Sequence, residues 1–420
     1  MRRRRTTGLV VAFTALGAFT LGTLVAPATP TAASATEIRA LWVLRTSLAS
    51  PQKIDTLVRT ARTYGFNTLI VQVRGRGDAY FAGGLEPRAE ELRDQPASFD
   101  PLATLLPAAH GAGLRVHAWV NVNLVSSAVS LPASPAHLVY AHPEWLMVPR
   151  ALAAEMADVD TASPAYAGRL ARWTRGQLTE VEGLYASPVH PDAAAHVTAV
   201  VSDLVARYAL DGVHLDYVRF PDDRFDYSRY ARAAFRAEVA DTRPAGERQA
   251  LDARALTDPL AWADALPEEW SRFRRARLSS LVMRLRTAVK SRRPDALVSA
   301  AVTPDAQEAF GRRLQDWRTW LDSGLLDAVC PMAYTPEVDV FAVQIAAARG
   351  FAGTRKVWAG IGAYRLSATQ TIERILTARR QGADGFVLFS YDALADPPRS
   401  RETYLSQVSR AAFADAAGSR

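Results

Sequence analysis

Cysteine is almost absent from this chain of 420 residues, which contains only Cys330. A single cysteine cannot form a disulfide within the chain, so the fold depends on its core. Cys330 ends an apolar stretch typical of a strand, and this position predicts a buried thiol rather than a nucleophile. Zinc-finger spacings and basic stripes are also missing, so we expect no nucleic-acid partner.

Long hydrophobic runs are equally scarce, and the one at residues 8–26 lies near the N-terminus. Four arginines at positions 2–5 precede it, and a Pro/Thr/Ala segment ending in Ala33, Ser34 and Ala35 follows. This order predicts a signal peptide over residues 1–35 and a secreted or cell-envelope protein. The run is also long enough for an uncleaved membrane anchor, which is the alternative. After cleavage we expect no stable membrane insertion, and the sequence assigns no oligomeric state.

The net charge of +7 comes partly from those four arginines, without which the excess of basic residues falls to about three. The charge of the mature chain is therefore weak evidence for any polyanionic partner.

Eight short apolar runs alternate with amphipathic helical patterns along the rest of the chain. The predicted strands lie at 39–45, 67–74, 114–122, 212–220, 297–303, 327–334, 356–362 and 385–391. This alternation predicts a parallel sheet, and eight repeats predict a closed (β/α)8 TIM barrel. An open doubly wound sheet is the alternative, but it usually has a glycine-rich turn after its first strand, where this chain has Arg45, Thr46 and Ser47.

Two long insertions, at 125–189 and 222–269, follow the third and fourth predicted strands. They should lie on the carboxyl-terminal face, where active sites of such barrels form. We predict one barrel domain over residues 36–400 and a C-terminal tail over 401–420 that forms a surface helix.

Polar residues alternate with apolar ones near the ends of several predicted strands. In the third strand, one face carries His117, Trp119, Asn121 and Asn123, and we expect this face to point into the barrel. Burial of polar groups costs free energy unless they are paired. These polar residues therefore form either internal pairs, such as Arg74 with Asp78 or Arg219 with Asp216, or a binding site. The number of polar residues at the strand ends favours the binding site.

The fourth predicted strand carries the segment DGVHLD at 211–216, followed by YVRFP at 217–221. This segment is similar to the fourth-strand signature of the glycosyl-hydrolase-like family 10. Further similar segments, in order, are VQVRGRGDAY at 71–80, HAW at 117–119, HPEW at 142–145 and CPMAY at 330–334. The resemblance implies an exported bacterial barrel and a glycosidase, and some members act on peptidoglycan glycan strands stripped of stem peptides.

A more distant similarity is to the family 18 chitinases, whose fourth strand reads D-G-x-D-x-D-x-E. Asp211, Gly212 and Asp216 match this pattern, whereas the chitinase acid falls on Val218. Their sixth-strand M-x-Y-D segment matches residues 332–334, with Thr335 in place of its aspartate. Asp216 is then the one inward carboxylate left near the end of the fourth strand.

Glycoside hydrolysis usually requires two carboxyl groups. We predict Asp216 as the general acid, with its pKa adjusted by His214 or Tyr334. For the second group we rank Asp305 and Asp78 ahead of Asp222 and Glu337, all of which follow predicted strands.

The other strand-end residues are predicted to bind the glycan, because aromatic rings stack on sugars and arginines bind acidic groups. This set comprises Gln72, Arg74, Tyr80, Trp119, Asn121, Asn123, His214, Arg219 and Tyr334. Arg76, Tyr217 and Tyr364 can contribute in the same way, whereas we assign Trp42 and Trp358 to the core.

Two other functions stay open at this point. A metal-dependent deacetylase or amidohydrolase would use His117 and His214, but the sequence has no H-x-H or H-E-x-x-H motif, so we expect no metal and no cofactor. A non-catalytic glycan-binding barrel is the third hypothesis, because Val218 replaces an acid. The expected partner in each case is a polysaccharide.

Overall fold

The structure is a computed structural model that describes residues 37–395 and 400–413. The predicted signal peptide lies outside these residues. The ten described strands are β1 (Ile38–Val43), β2 (Thr68–Arg74), β3 (Arg115–Asn121), β4 (Leu124–Ser126), β5 (Leu184–Tyr185), β6 (Gly212–Asp216), β7 (Leu297–Val302), β8 (Ala328–Pro331), β9 (Lys356–Ile361) and β10 (Gly385–Leu388).

Helices follow the barrel strands and fill the insertions. They are α1 (Pro51–Thr63), α2 (Pro101–Gly111), α3 (Leu138–Ala141), α4 (Pro164–Arg175), α5 (Pro191–Arg207), α6 (Arg229–Val239), α7 (Ala245–Ala255), α8 (Ala261–Ala265), α9 (Pro267–Arg292), α10 (Ala306–Gly311), α11 (Trp317–Asp322), α12 (Val338–Ala352), α13 (Ala368–Arg380) and α14 (Arg401–Ala412). Within the described ranges, no helix combines the length and the apolar character needed to cross a membrane.

Eight parallel strands close into a barrel in the order β1, β2, β3, β6, β7, β8, β9 and β10. The first and last strands pair, with Ile38 opposite Gly385, and this closure excludes an open sheet. The predicted (β/α)8 barrel is therefore confirmed. Strand β6 ends at Asp216, four residues earlier than predicted, because Tyr217 adopts a left-handed backbone conformation with φ of 49°.

The barrel interior holds the inward-facing side chains of the strands, including Cys330, which is fully buried as predicted. His117 and His214 are also fully buried there. The Nε2 of His214 accepts a hydrogen bond from Trp42 Nε1 at 3.2 Å, and its Nδ1 lies 2.9 Å from Ser299 Oγ. Burial lowers the pKa of His117 to about 4 and that of His214 to about 3, so both rings are neutral at neutral pH.

The two insertions pack against each other above the carboxyl ends of β3 and β6. The first contains the antiparallel pair β4–β5 with α3 and α4, and the second contains α6, α7 and α8. Buried Asp226 of the second insertion accepts a hydrogen bond from Val148 N of the first at 2.8 Å. The first insertion reaches the barrel mouth through β4, whose Leu124 lines the cavity there.

The C-terminal helix belongs to the barrel rather than to a tail. In α14, Leu405 and Val408 are fully buried, and Phe413 packs edge-on against Phe66 with ring centres 5.5 Å apart. The helix covers α13 and completes the outer layer. The helix predicted for the tail is α14, and an apolar stripe at helical spacing within 401–412 faces the core.

Candidate active site

A cavity of about 360 Å³ opens at the carboxyl ends of the barrel strands. Eight of the residues predicted from the sequence line it together: Gln72, Arg76, Trp119, Asn121, Asp216, Tyr217, Arg219 and Tyr334. They come from four strands and their following turns, because inward-facing positions near the strand ends converge at one end of a parallel barrel.

Asp216, the last residue of β6, is the sole carboxylate that lines this cavity among the described residues. It is 8% exposed, and its Oδ1 accepts a hydrogen bond from Tyr217 N at 2.6 Å. Burial raises the pKa of Asp216 to about 6, although the Tyr217 N–H and the Arg219 guanidinium oppose the rise. A carboxyl group with this pKa can hold a proton near neutral pH and donate it.

Tyr217 connects Asp216 to the neighbouring guanidinium. Its N–H donates to Asp216, and its backbone is left-handed; such strain costs about 1–3 kcal/mol and concentrates at functional sites. The Arg219 guanidinium lies 4.9 Å from the centre of the Tyr217 ring. Tyr185 of β5 packs edge-on against the same ring at 6.1 Å.

Glu182 forms an ion pair with Arg219 and was not predicted from the sequence. Its carboxylate accepts hydrogen bonds from Arg219 Nη2 at 2.7 Å and from the Tyr185 hydroxyl at 2.6 Å. Burial acts to raise the pKa of Glu182, but Arg219 and Tyr185 outweigh it and hold that pKa below its ordinary value. The turn requires Gly183, since a Cβ there would lie 2.1 Å from Ser126 O. Glu182 lies in an irregular insertion, where periodicity gives no signal.

Amide side chains on the cavity wall are held in fixed orientations. Asn121 Nδ2 donates to Gly75 O at 2.7 Å, and Asn121 Oδ1 accepts from Trp119 Nε1 at 2.8 Å. Gln72 Oε1 accepts from Arg45 Nη1 at 3.3 Å. These bonds preorganise the wall for polar contacts with a ligand.

An aromatic wall faces the amides. The rings of Tyr334 and Phe389 stack with centres 5.5 Å apart, and Trp42 packs edge-on against both. Tyr364 adjoins the same pair and is 40% exposed. We assigned Trp42 to the core from the sequence, but it lines the cavity as well as the barrel interior. Flat apolar walls of this kind suit the faces of sugar rings.

Arg74 and Asn123 are structural rather than ligand-binding. Arg74 forms a two-pronged ion pair with Glu86, with distances of 2.7 and 2.6 Å, so the predicted pairing of Arg74 with Asp78 was wrong. Its Nη1 donates to the main-chain oxygen of Asn121. Asn123 Nδ2 donates to Arg219 O at 3.2 Å, below the cavity wall. Both side chains are buried, and neither lines the cavity at the barrel mouth.

Tyr80 and His214 do not reach the cavity either. Tyr80 is fully buried in the layer between strands and helices, because the chain after β2 folds back beside Val73. Both ring nitrogens of His214 are engaged inside the barrel. The predicted glycan contacts of these two residues are therefore corrected to packing roles.

The predicted second carboxylate is not in the cavity. Asp305 is exposed and caps α10, accepting hydrogen bonds from Gln307 N and Glu308 N at 2.8 Å each. Asp78 accepts from Gly75 N at 3.1 Å and lines a neighbouring cavity instead. The lower-ranked candidates are also engaged elsewhere, Asp222 by Arg224 and Glu337 by Thr335.

The metal-hydrolase alternative gains no support from the geometry. His117 and His214 lie inside the barrel, and no carboxylate among the described residues is bonded to either ring. In the part of the chain that the structure describes, no three His, Cys, Asp or Glu side chains are grouped to hold a metal ion.

Comparison with known sequences yields glycosyl hydrolases. Glycosyl hydrolase DigH of Escherichia coli (strain K12) is 24% identical over 311 residues, which are 68% of this chain and 57% of DigH. Glycosyl hydrolase YngK of Bacillus subtilis (strain 168) is 24% identical over 242 residues, 51% of this chain and 41% of YngK. The chain thus matches only about half the length of these curated relatives.

Solved structures with the same fold include the glycoside hydrolase domain of PgaB (BpsB) from Bordetella bronchiseptica. It superposes with a TM-score of 0.60 at 18% identity, covering 89% of this chain and 98% of that domain. α-L-Fucosidase isoenzyme 2 from Paenibacillus thiaminolyticus superposes at 0.58 with 15% identity, covering 91% of this chain and 50% of the fucosidase. At these identities the likeness shows the barrel fold alone.

The family resemblance seen in the motifs is confirmed over most of the chain. The family model described as Glycosyl hydrolase-like 10 matches residues 37–374, from the start of β1 into α13. This range contains all eight predicted residues that line the cavity. The chain belongs to the glycosyl hydrolase-like 10 family.

Proposed function

We propose that this protein is an exported glycoside hydrolase that cleaves peptidoglycan glycan strands, with Asp216 as the general acid. The observation that carries the proposal is the buried Asp216 carboxyl group, which has a raised pKa and lies between an aromatic wall and fixed amides. The glycosyl hydrolase names of DigH and YngK support the reaction class. The choice of glycan follows from the family resemblance, and export follows from the predicted signal peptide.

Among the described residues, Asp216 is the one carboxylate that lines the cavity, and this affects which mechanism the site can use. The usual pair of carboxyl groups supplies an acid and either a nucleophile or a base, but some glycosidases use a group of the substrate instead. The sugars of peptidoglycan carry a 2-acetamido group, and we propose that its carbonyl oxygen takes the second role. This oxygen bonds to the anomeric carbon while the glycosidic bond breaks and the leaving oxygen takes the proton of Asp216.

The second step restores the enzyme. Water adds to the anomeric carbon, the bond to the acetamido oxygen breaks, and the Asp216 carboxylate accepts a proton from the water. Two displacements at one carbon give a product with retained configuration. Asn121 and Gln72, whose amides face the cavity, can hold the sugar while Tyr334 covers one ring face.

The pH dependence of the rate follows from the pKa of Asp216. We expect kcat/KM to fall as the pH rises through about 6, because the acid loses its proton in that range. Initial rates on a soluble glycan fragment between pH 4.5 and 8 would test this. A rate that climbs across the whole interval would contradict the role of Asp216 as an acid.

A panel of polymers tests the proposed function. Residues 36–420 would be incubated with peptide-free peptidoglycan strands, the same strands after N-deacetylation, chitin and a neutral β-glucan, and soluble products would be identified by mass. We expect saccharides from the acetylated peptidoglycan strands and none from the β-glucan. Equal cleavage of the deacetylated strands would reject the acetamido mechanism while keeping a glycosidase.

A glycan-binding barrel without turnover is the second candidate function. It is favoured by the single carboxylate at the cavity and by Val218, which is fully buried where the family 18 pattern has its acid. Retention of the strands on the protein without release of any saccharide would select this candidate over the hydrolase.

A further inference from the structure

A hydrogen bond between two side chains crosses the interior of the barrel. Trp42 of β1 donates from Nε1 to Nε2 of His214 on β6 at 3.2 Å, although β2 and β3 separate these strands in the sheet. The Nδ1 of His214 lies 2.9 Å from the hydroxyl oxygen of Ser299 on β7, the strand opposite β1 in the closed barrel. All three side chains are almost fully buried. One imidazole ring therefore joins three strands that are distant along the sheet.

The two partners of His214 determine the state of its ring. An indole N–H can only donate, so Nε2 is the unprotonated nitrogen, and Nδ1 carries the proton that it donates to Ser299. Burial lowers the pKa of His214 to about 3, so the ring keeps this neutral form near neutral pH. Both hydrogen bonds therefore persist over the range in which Asp216 gains and loses its proton.

Trp42 connects this hydrogen bond to the aromatic wall of the cavity. Its ring packs edge-on against Tyr334 and Phe389, with centres 6.3 and 5.9 Å apart. At the six-membered end of the indole, a Cβ on residue Gly360 would lie 3.1 Å from Trp42 Cη2, so the ring has little space to move there. The orientation of Trp42 is therefore set by His214 at its nitrogen and by close packing at its far edge.

The strand that carries His214 also carries the proposed acid. His214 and Asp216 are two positions apart in β6, so their side chains point to the same face of the strand. The hydrogen bond to Trp42 thus links the strand of the acid to the aromatic wall. A general acid must lie within hydrogen-bond reach of the oxygen that it protonates. The distance between the wall, which holds the sugar, and Asp216 therefore affects the rate.

We infer that His214 is a positioning residue, which holds the aromatic wall in register with Asp216 through Trp42. His214 itself does not line the cavity, so it acts through the indole ring. Packing alone would favour an apolar side chain at this buried position, because burial of a polar ring costs free energy unless its nitrogens are bonded. The inference rests on the proposed function, since it concerns the alignment of the sugar with the acid.

His214→Leu removes the acceptor and keeps a bulky side chain inside the barrel. We expect kcat on soluble fragments of peptide-free peptidoglycan strands to fall about ten- to hundredfold, because a small misalignment slows proton transfer that strongly. KM should change by less than about threefold, since the wall and the amides still bind the sugar. Rates measured well below the unfolding temperature exclude a loss of stability as the cause. An unchanged kcat in His214→Leu would overturn the inference.

His117→Leu is the matched control, and His214→Gln is the conservative variant. His117 is also fully buried inside the barrel, where it packs edge-on against Trp358, and its ring nitrogens have no partner among the described residues. Its replacement leaves the bond to Trp42 in place and should preserve kcat. Gln at position 214 offers a neutral oxygen for the Trp42 N–H and should restore most of the rate. An equal loss of kcat in His117→Leu would overturn the inference.

The indole N–H signals of the nine tryptophans report the hydrogen bond independently of turnover. In a nuclear magnetic resonance spectrum of protein with isotope-labelled tryptophan, the Trp42 signal is the one absent from Trp42→Phe. We expect it to move in His214→Leu and to stay in place in His117→Leu. If His214→Leu does not fold, Ser299→Ala, which deletes one oxygen, takes its place and should move the signal and lower kcat. No change in either quantity would overturn the inference.

The outcomes for His214 and for the proposed function are distinguishable. A displaced Trp42 signal with an unchanged kcat in His214→Leu would keep the hydrolase and reject the positioning role. If the unaltered protein releases no saccharide, the proposed function fails. A Trp42 signal that moves in His214→Leu and not in His117→Leu would then still support the link between the aromatic wall and β6.

Discussion

Replacement of Asp216 by Asn is expected to slow glycan cleavage by about 10²–10⁴-fold, the contribution of a positioned general acid. The amide has the same shape and its oxygen can still accept the Tyr217 N–H, so the cavity should keep its form. It cannot deliver a proton to the leaving oxygen. Product release measured by mass, with co-sedimentation on strands as the binding readout, should show lost turnover with retained binding.

Asp305→Asn is the matched control for this substitution. Asn caps a helix about as well as Asp, so α10 should be preserved, and the exposed side chain lies outside the cavity. We expect full activity and unchanged stability. A loss of activity in Asp305→Asn as large as that in Asp216→Asn would restore the sequence-based assignment and place the chemistry elsewhere.

The barrel and much of its mouth could be predicted because both depend on regular patterns. Eight alternating β/α repeats determine a closed parallel sheet, and alternation within strands directs Trp119, Asn121 and Asp216 inwards. Their position near strand ends then places them at the mouth. The alternation within each strand and the position along it were sufficient to place these residues.

The parts that could not be predicted lie in irregular segments. The partner of Arg74 is Glu86 in the loop after β2, and Glu182 lies in the first insertion. In such irregular segments no regular spacing predicts which way a side chain points. Asp305 caps α10 instead of lining the cavity, and its spacing to Glu308 is that of a helix start. A carboxylate that follows a strand can thus cap the next helix instead of lining the active site.

Among the substitutions proposed for this protein, removal of one partner of the Arg74–Glu86 pair should cause the largest loss of stability. Arg74→Met is expected to lower the free energy of unfolding by about 3–5 kcal/mol, because it removes the permanent cation from the buried Glu86 carboxylate and leaves His196 as its neighbour. Urea denaturation at pH 7 measures this loss. The double variant Arg74→Met/Glu86→Leu is the control and should recover much of the stability, since an apolar pair carries no uncompensated charge.

The pH dependence of that loss separates buried charge from lost packing. Burial acts to raise the pKa of Glu86, but Arg74 and His196 outweigh it and hold that pKa at about 2 in the native protein. The pair therefore stabilises the unaltered protein above the ordinary pKa of 4.5, and this contribution is lost as the pH falls from there towards 2. Without Arg74, burial should raise the pKa of Glu86, and protonation then relieves the charge.

The difference in stability between Arg74→Met and the unaltered protein should therefore shrink as the pH is lowered from 7 towards 4. A difference that stays constant over this range would assign the loss to packing alone. Because Arg74 also bonds the main chain of Asn121 beside the cavity, its removal should slow turnover as well, whereas the pH-dependent part of the stability loss reports only the buried charge.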